Sequence, residues 1–220
     1  MILITGASSG LGAALADIYS QESPVCISGR NTERLNALTA KLGHNVTPHP
    51  CNLSDEQSVT ALFDSLPHTP STIIHCAGSG YFGRLETQST TEINTLLTNN
   101  VTSAIMLLRE AVKRYKDKPV TVVMVMSTAA QIAKAEESTY CAAKWAVRGL
   151  VESVRLELKN HPMKLIAVYP GGMDTPFWSA SGKHLDTQHF MSAAEAATML
   201  KQALIATEHG YVSDITINRG

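Results

Sequence analysis

One feature constrains this chain more than any other: short, β-branched, almost uncharged runs alternate with longer stretches of helical periodicity from end to end. Runs of strand character lie at Ile2–Ile4, Val25–Ser28, Val46–Pro50, Thr72–Cys76, Val120–Met126, Lys164–Tyr169 and Tyr211–Ile217. Between them fall helical patterns at Leu11–Ser20, Thr32–Leu42, Asp55–Leu66, Thr90–Tyr115, Thr139–Lys159 and Ala193–Ala206. A run such as Val120-Thr121-Val122-Val123-Met124-Val125 suits a strand covered on both faces, as in a parallel sheet. Ser54-Asp55-Glu56-Gln57 and Ser192-Ala193-Ala194-Glu195 fit capping boxes, and Pro119 and Pro162 follow helix ends. Seven strands alternating with helices predict right-handed βαβ units and an α/β, doubly wound parallel sheet with helices on both faces. No linker or composition shift divides residues 1–220, so a single domain is expected. The polar stretch at about 171–191, after the sixth strand, has the character of a substrate lid.

Composition narrows the classes of function. Of 220 residues, 44% are hydrophobic and 17% charged, enough for a core and against disorder. A formal net charge of -1 lacks the basic surplus that nucleic-acid binding needs, so no nucleic-acid partner is expected. Val120–Met126 is far shorter than the ~18 residues of a membrane span, and the first residues show no positively charged leader. No membrane partner is therefore expected. Cys26, Cys51, Cys76 and Cys141 form no C-x-x-C pair and read as buried reduced thiols, which suits the cytoplasm. Three of them recur every 25 residues, a by-product of the strand–helix repeat. With the histidines scattered, no metal site is expected.

Directly after the first strand comes Thr5-Gly6-Ala7-Ser8-Ser9-Gly10-Leu11-Gly12, and then a helix. A pyrophosphate approaching the N–H groups at a helix N-terminus needs a turn without obstructing Cβ atoms. Gly6, Ser8, Ser9, Gly10, Leu11 and Gly12 are the candidate phosphate cradle of a Rossmann-type dinucleotide site. The same residues match the G-x-S-x-G elbow of a serine hydrolase, with Ser8 as nucleophile. That elbow should follow a central strand and precede an acid and a histidine, which this position does not offer.

Tyr140 and Lys144 stand at i and i+4 of a helical pattern and so share a face. An ammonium beside a phenol favours the phenolate; a shift of about three pKa units takes roughly 4 kcal/mol. By itself Tyr-x-x-x-Lys is a common solvated pair. Ser127, at the carboxyl end of the Val120–Met126 strand, adds a hydroxyl at the sheet edge where ligands bind. Asn100, a mid-helix amide, is either a polar group with a role or an exposed residue.

Taken together, Thr5-Gly6-x-x-x-Gly10-x-Gly12, Asn100, Ser127, Tyr140-x-x-x-Lys144 and Pro170-Gly171-x-Met173-x-Thr175 resemble the short-chain dehydrogenase/reductase family in order and spacing, from Ile2 to the C-terminus. The resemblance implies hydride transfer between NAD(P)(H) and a small carbonyl or alcohol substrate, without metal. It implies Tyr140 as general acid/base and Ser127 as the group that orients and stabilises the carbonyl oxygen. Lys144 would lower the tyrosine pKa and hold the nicotinamide ribose, and Asn100 would anchor a water of a proton relay. Asn52 and Leu53 would border the adenine; Ala77 and Gly78 would line the cofactor; Pro170, Gly171, Met173 and Thr175 would meet the carboxamide. Three positions depart from the family pattern: His75-Cys76 replaces Asn-Asn, Asn52 replaces Asp, and Met173 replaces Val.

The second strand ends Ser28-Gly29-Arg30, without the carboxylate that would hold a ribose 2′-hydroxyl. Arg30 can instead pair with a 2′-phosphate, so NADP(H) is expected over NAD(H), unless Arg30 is merely a surface arginine. A non-catalytic, redox-sensing NADP(H)-binding protein is the alternative, although such proteins usually lack the Tyr and Lys. The lid residues Phe177, Trp178, Leu185, His189, Phe190 and Met191 suit an apolar or aromatic carbonyl compound, or else simply pack the lid. Leu96, Ile105, Leu108, Trp145, Leu150 and Val154 on the two long helices predict a homodimer or homotetramer.

Overall fold

In the computed structural model, which describes residues 1–183, 185–206 and 209–220, the chain begins with β1 (Ile2–Thr5), α1 (Gly10–Ser20), β2 (Val25–Gly29), α2 (Thr32–Leu42), β3 (Val46–Pro50) and α3 (Glu56–Asp64). It continues through β4 (Thr72–His75), α4 (Thr90–Leu97), α5 (Ser103–Tyr115), β5 (Thr121–Val125), α6 (Ser138–Glu157) and β6 (Lys164–Pro170). Last come β7 (Met173–Asp174), α7 (Phe177–Ala180), β8 (Met191–Ser192), α8 (Ala193–Ala203) and β9 (Asp214–Ile217). Seven strands form one parallel sheet in the order β3-β2-β1-β4-β5-β6-β9, the Rossmann-type arrangement. Strand β1 is the pivot: Ile4 pairs with Ile27 of β2 on one side and Ile74 of β4 on the other.

The uncharged sequences of β1, β2, β4 and β5 follow from this topology, because these strands are covered on both faces, whereas the edge strands β3 and β9 expose part of theirs. Leu3, Ile73, Val122 and Met124 pack with Leu107, Leu108 and Val151 from α5 and α6. Ile4, Ile27, Ile74 and Val123 point the other way, to Leu15, Leu35 and Leu200 from α1, α2 and α8.

Several boundaries differ from the sequence reading. The single helix expected over 90–115 is two, α4 and α5, joined by a turn of π-helix at Thr98–Thr102. Asn100 Nδ2 donates to the Leu96 carbonyl four residues back, at 2.9 Å, and so competes with the regular ladder there. The cap of α3 is Asp55, whose carboxylate accepts from Ser58 N at 2.7 Å, whereas Ser54 donates to Asn52. The expected box at Ser192–Glu195 is present, and a second one, Ser89–Glu92, begins α4. Helix α8 ends at Ala203, and the last strand begins only at Asp214, because the register of β6 offers partners from Ala167 onward. Within the lid, β7 and β8 pair with each other and α7 lies between them.

Cys26, Cys51 and Cys141 are buried, Cys76 is partly so, and all are free thiols. Of the apolar helix residues, Leu96, Leu108 and Val154 belong to the core, Leu150 is half-buried, and Ile105 and Trp145 are exposed. No described helix is long and apolar enough to cross a membrane.

Leu107 is fully buried on α5, whereas Leu156 on α6 is 77% exposed. Leu107→Ala should cost about 2–5 kcal/mol of unfolding free energy in urea, as buried leucines do, and Leu156→Ala under about 0.5. Equal losses would contradict this core.

Candidate active site

Every loop that follows a strand's carboxyl end opens onto the same edge of the sheet. They border one cavity of about 610 Å³. The candidate cofactor residues Gly6, Ser8, Ser9, Gly10, Leu11, Gly12, Arg30, Asn52, Leu53, Ala77, Gly78, Pro170, Gly171, Met173 and Thr175 all line it, together with Ser127, Tyr140 and Lys144. Asn100 stands behind its wall. The cavity thus lies outside the point where the chain leaves β1 in opposite directions, the ligand position of open α/β sheets.

Two glycines show how closely the backbone folds around this space. Gly6 has φ +72°, and a Cβ there would come within 2.4 Å of the Ala77 nitrogen. A Cβ on Gly78 would lie 2.7 Å from Asn100 Oδ1 and 3.2 Å from Lys144 Nζ, so two polar groups converge on room that only glycine leaves. Ser9 occupies the N-cap of α1 without spending its hydroxyl on the cap. Among the described residues no side chain hydrogen-bonds Ser8 Oγ, and no histidine lines the cavity, so the hydrolase reading lacks its base.

Tyr140 and Lys144 are both buried, 6% exposed each, one turn apart on α6. The Lys144 Nζ lies 5.5 Å from the centre of the tyrosine ring. Ser127 accepts from Ala129 N at 3.1 Å, which leaves its own proton to be donated. Asn100 Nδ2 donates to the carbonyls of Ser79 (2.8 Å) and Leu96, while its Oδ1 has no partner among the described residues.

The electrostatics correct one expectation. Burial pushes the Tyr140 phenol well above its usual value; the hydrogen bond with Ser127 opposes this and the Glu137 charge adds to it. Desolvation thus outweighs the lowering that the resemblance implies for this pair. The same desolvation pushes the lysine ammonium down to about 8, against a smaller opposing effect of Cys76. His75, bonded through Nδ1 to Thr5 Oγ1 at 2.8 Å, is pushed down to about 3 by burial and then by Lys144. It is therefore a neutral packing partner where the family commonly has asparagine. Asn52 Oδ1 is occupied by the N–H and hydroxyl of Ser54, so its acceptor is not free for an adenine amino group.

Arg30 turns toward the cavity: its Nη1 donates to Asn99 Oδ1 at 3.0 Å, and Asn99 Nδ2 donates to Ser79 Oγ at 3.1 Å. Arg34, one turn into α2, lines the same end. Sequence reasoning passed over Arg34 and Asn99; the i, i+4 spacing from Arg30 and the repeated amide of Asn99-Asn100 were the available signals. It also passed over Phe82, which packs edge-on against Tyr140 (5.3 Å) and stacks on Trp178 (5.7 Å). No periodicity in that glycine-rich loop marks it. Among the described residues no group of His, Cys, Asp or Glu is arranged to hold a metal ion.

With this geometry in place, comparison with known proteins is decisive for the family. The description that matches residues 1–186 is short chain dehydrogenase, and the chain belongs to that family. A crystal structure of a short-chain dehydrogenase/reductase from Vibrio parahaemolyticus is 55% identical, with 100% of each chain covered and a TM-score of 0.92. A short-chain dehydrogenase from Sphingobium yanoikuyae, solved in complex with NADPH, is 25% identical across 97% of this chain and 86% of that one, with a TM-score of 0.85. An uncharacterized oxidoreductase of Bacillus subtilis, YxnA, is 28% identical over 95% of this chain. The chain spans 63% of that protein's length, and 54% and 57% of two further curated relatives.

The depressed lysine has a thermodynamic consequence. Folded Lys144 releases its proton near pH 8, while the unfolded chain holds it up to the usual value of 10.5. The unfolded state binds more protons between those values, so this group makes stability rise with pH there. Wild-type protein should therefore gain stability relative to Lys144→Met from pH 8 to pH 10, measured by urea unfolding. A constant or shrinking difference would place the ammonium in a wetter site.

Proposed function

We propose that this protein is an NADP(H)-dependent oxidoreductase that reduces a small carbonyl compound to an alcohol. The observation that carries this reading is the convergence of Ser127, Tyr140 and Lys144, two of them buried, at one end of a cavity whose other end presents Arg30 and Arg34. The glycine cradle and the open space beside Gly78 fit a dinucleotide. Gly6 to Gly12 would hold its pyrophosphate, Lys144 its nicotinamide ribose, and Gly171, Met173 and Thr175 its carboxamide. Arg30 and Arg34 line the cavity while the neighbouring Glu33 does not, and they favour a 2′-phosphate. NADPH in the Sphingobium relative agrees with that preference. When bound, the reduced nicotinamide supplies the hydride.

The protein's own part is the proton. Burial keeps Tyr140 protonated through the neutral range, which is the state an acid needs when an alkoxide develops. The free proton of Ser127 donates to the same oxygen and stabilises its charge. Lys144 lies beside the phenol and the ribose position, and the unpartnered Asn100 Oδ1 faces it across Gly78, an acceptor on the route by which Tyr140 regains a proton. Phe177, packed on Tyr140, and Trp178, packed on Phe177, favour an apolar or aromatic carbonyl compound. Free thiols suit a reducing compartment, and we place the enzyme in the cytoplasm. Ile105 and Trp145, exposed on the long helices, form the face expected to join two copies.

Tyr140→Phe keeps the ring and removes the proton. NADPH affinity, read by fluorescence, should hold while turnover falls about 10²–10⁴-fold. Wild-type kcat/KM should favour NADPH over NADH, and Arg30→Ala should erase most of that preference. Retention of more than about a tenth of the rate in Tyr140→Phe contradicts the mechanism, and a preference for NADH contradicts the cofactor assignment.

A further inference from the structure

Glu137 is the one acidic side chain among the described residues that line the cavity. It stands directly before α6, three residues ahead of Tyr140, and its charge reaches the phenol. Its side chain is 10% exposed. Backbone contacts on either side fix its position. Glu136 adopts φ +60°, the one described non-glycine residue with positive φ, and its carbonyl accepts from Gly83 N at 2.8 Å. The Glu137 carbonyl accepts from Cys141 N at 2.7 Å. Strain of this kind persists where the surroundings fix a side chain's direction.

Among the described residues, nothing hydrogen-bonds the Glu137 carboxylate. Its charged neighbour is Lys183 of the lid, whose Nζ lies 3.5 Å from Oε1 and is shared with the Phe82 ring at 5.1 Å. Buried carboxylates are ordinarily satisfied by several donors, and one loose ion pair to a partly exposed lysine leaves most of that acceptor capacity unused. A carboxylate kept this way beside the reacting groups, in a cavity that Phe177 and Trp178 line with Phe82 packed on both, has acceptor capacity left for a ligand.

We propose that Glu137 selects the substrate: its carboxylate accepts a hydrogen bond from a hydroxyl or ammonium group carried next to the reacting carbonyl, and that group takes the place of Lys183. The inference rests on the carbonyl reduction proposed above and sharpens it. The substrate class becomes an apolar or aromatic carbonyl compound with an adjacent hydrogen-bond donor. The aromatic lid holds the body, Glu137 reads the donor, and release of Lys183 reports occupancy to the lid that carries it.

Acetophenone, α-hydroxyacetophenone and α-aminoacetophenone test this, because they share ring and carbonyl and differ in the donor. Wild-type kcat/KM should favour the two substituted ketones over acetophenone by about tenfold to a hundredfold, the range of a hydrogen bond to a charged group. Glu137→Ala should bring both ratios near one. Glu137→Gln should lose the preference for the ammonium, and Lys183→Met should raise it. Each ratio is internal to one protein, so damage to folding or to Tyr140 chemistry moves all three ketones together and leaves the ratios unchanged. A wild-type ratio near one, or a preference unchanged in Glu137→Ala, overturns the proposal. Should none of the ketones turn over, carbonyl reduction of this class fails, and binding still decides the role of Glu137. In the presence of NADP+, 2-amino-1-phenylethanol should raise Tm more than 1-phenylethanol in wild type and not in Glu137→Ala. Equal shifts in wild type overturn it.

Discussion

The reversal of chain direction at β1 is the constraint on which the rest of this protein depends. From β1 the chain moves outward through β2 and β3, then returns past β1 to lay down β4, β5 and β6 on the other side. Helices must therefore cover both faces, which requires the central strands β1, β2, β4 and β5 to be without charge. The loops after β1 and β4 also diverge, which opens the crevice between them. Gly6 sits at that divergence, so near Ala77 that no side chain fits between the two strand ends. The glycine turn, Arg30, Ala77, Ser127 and Gly171 all lie on loops that leave the same edge, and α6 brings Tyr140 and Lys144 to it.

Dryness then sets the chemistry. Tyr140, Lys144 and His75 are all nearly fully buried, and burial disfavours the charged form of each. The phenol is kept protonated, the lysine is made responsive near pH 8, and the histidine is kept neutral. Water exclusion strengthens each remaining interaction, which is what a hydroxyl pair needs to stabilise a developing alkoxide. Glu137 is the exception in this enclosure, a charge kept at its border by a strained backbone and a lid lysine.

The strand order of the chemistry was legible because periodicity and punctuation are local. The edges of α2 and β3, the Ser192 cap, the glycine turn and the Tyr140–Lys144 face all follow from nearest neighbours along the chain. What could not be read depends on tertiary partners. At the π turn the Asn100 amide bonds not only the Leu96 carbonyl but also that of Ser79, 21 residues away. Arg30 points inward because Asn99 receives it, 69 residues on. The depression of Lys144 is a property of what surrounds it, and two residues at i and i+4 look the same whether the site is wet or dry. Likewise Glu137 reads as one more surface acid until Phe82 and Lys183 are folded over it.

The central claim is that this crevice delivers hydride to a carbonyl carbon while Tyr140 supplies the proton to its oxygen. Isotope transfer tests it most directly. NADPH deuterated at the transferring C4 position, incubated with the protein and a panel of aryl ketones and aldehydes, should give alcohols with one deuterium on the carbinol carbon in ordinary water, and Tyr140→Phe should suppress that product. Alcohol formed without deuterium at carbon, or no transfer to any carbonyl compound by protein saturated with NADPH, would contradict the account.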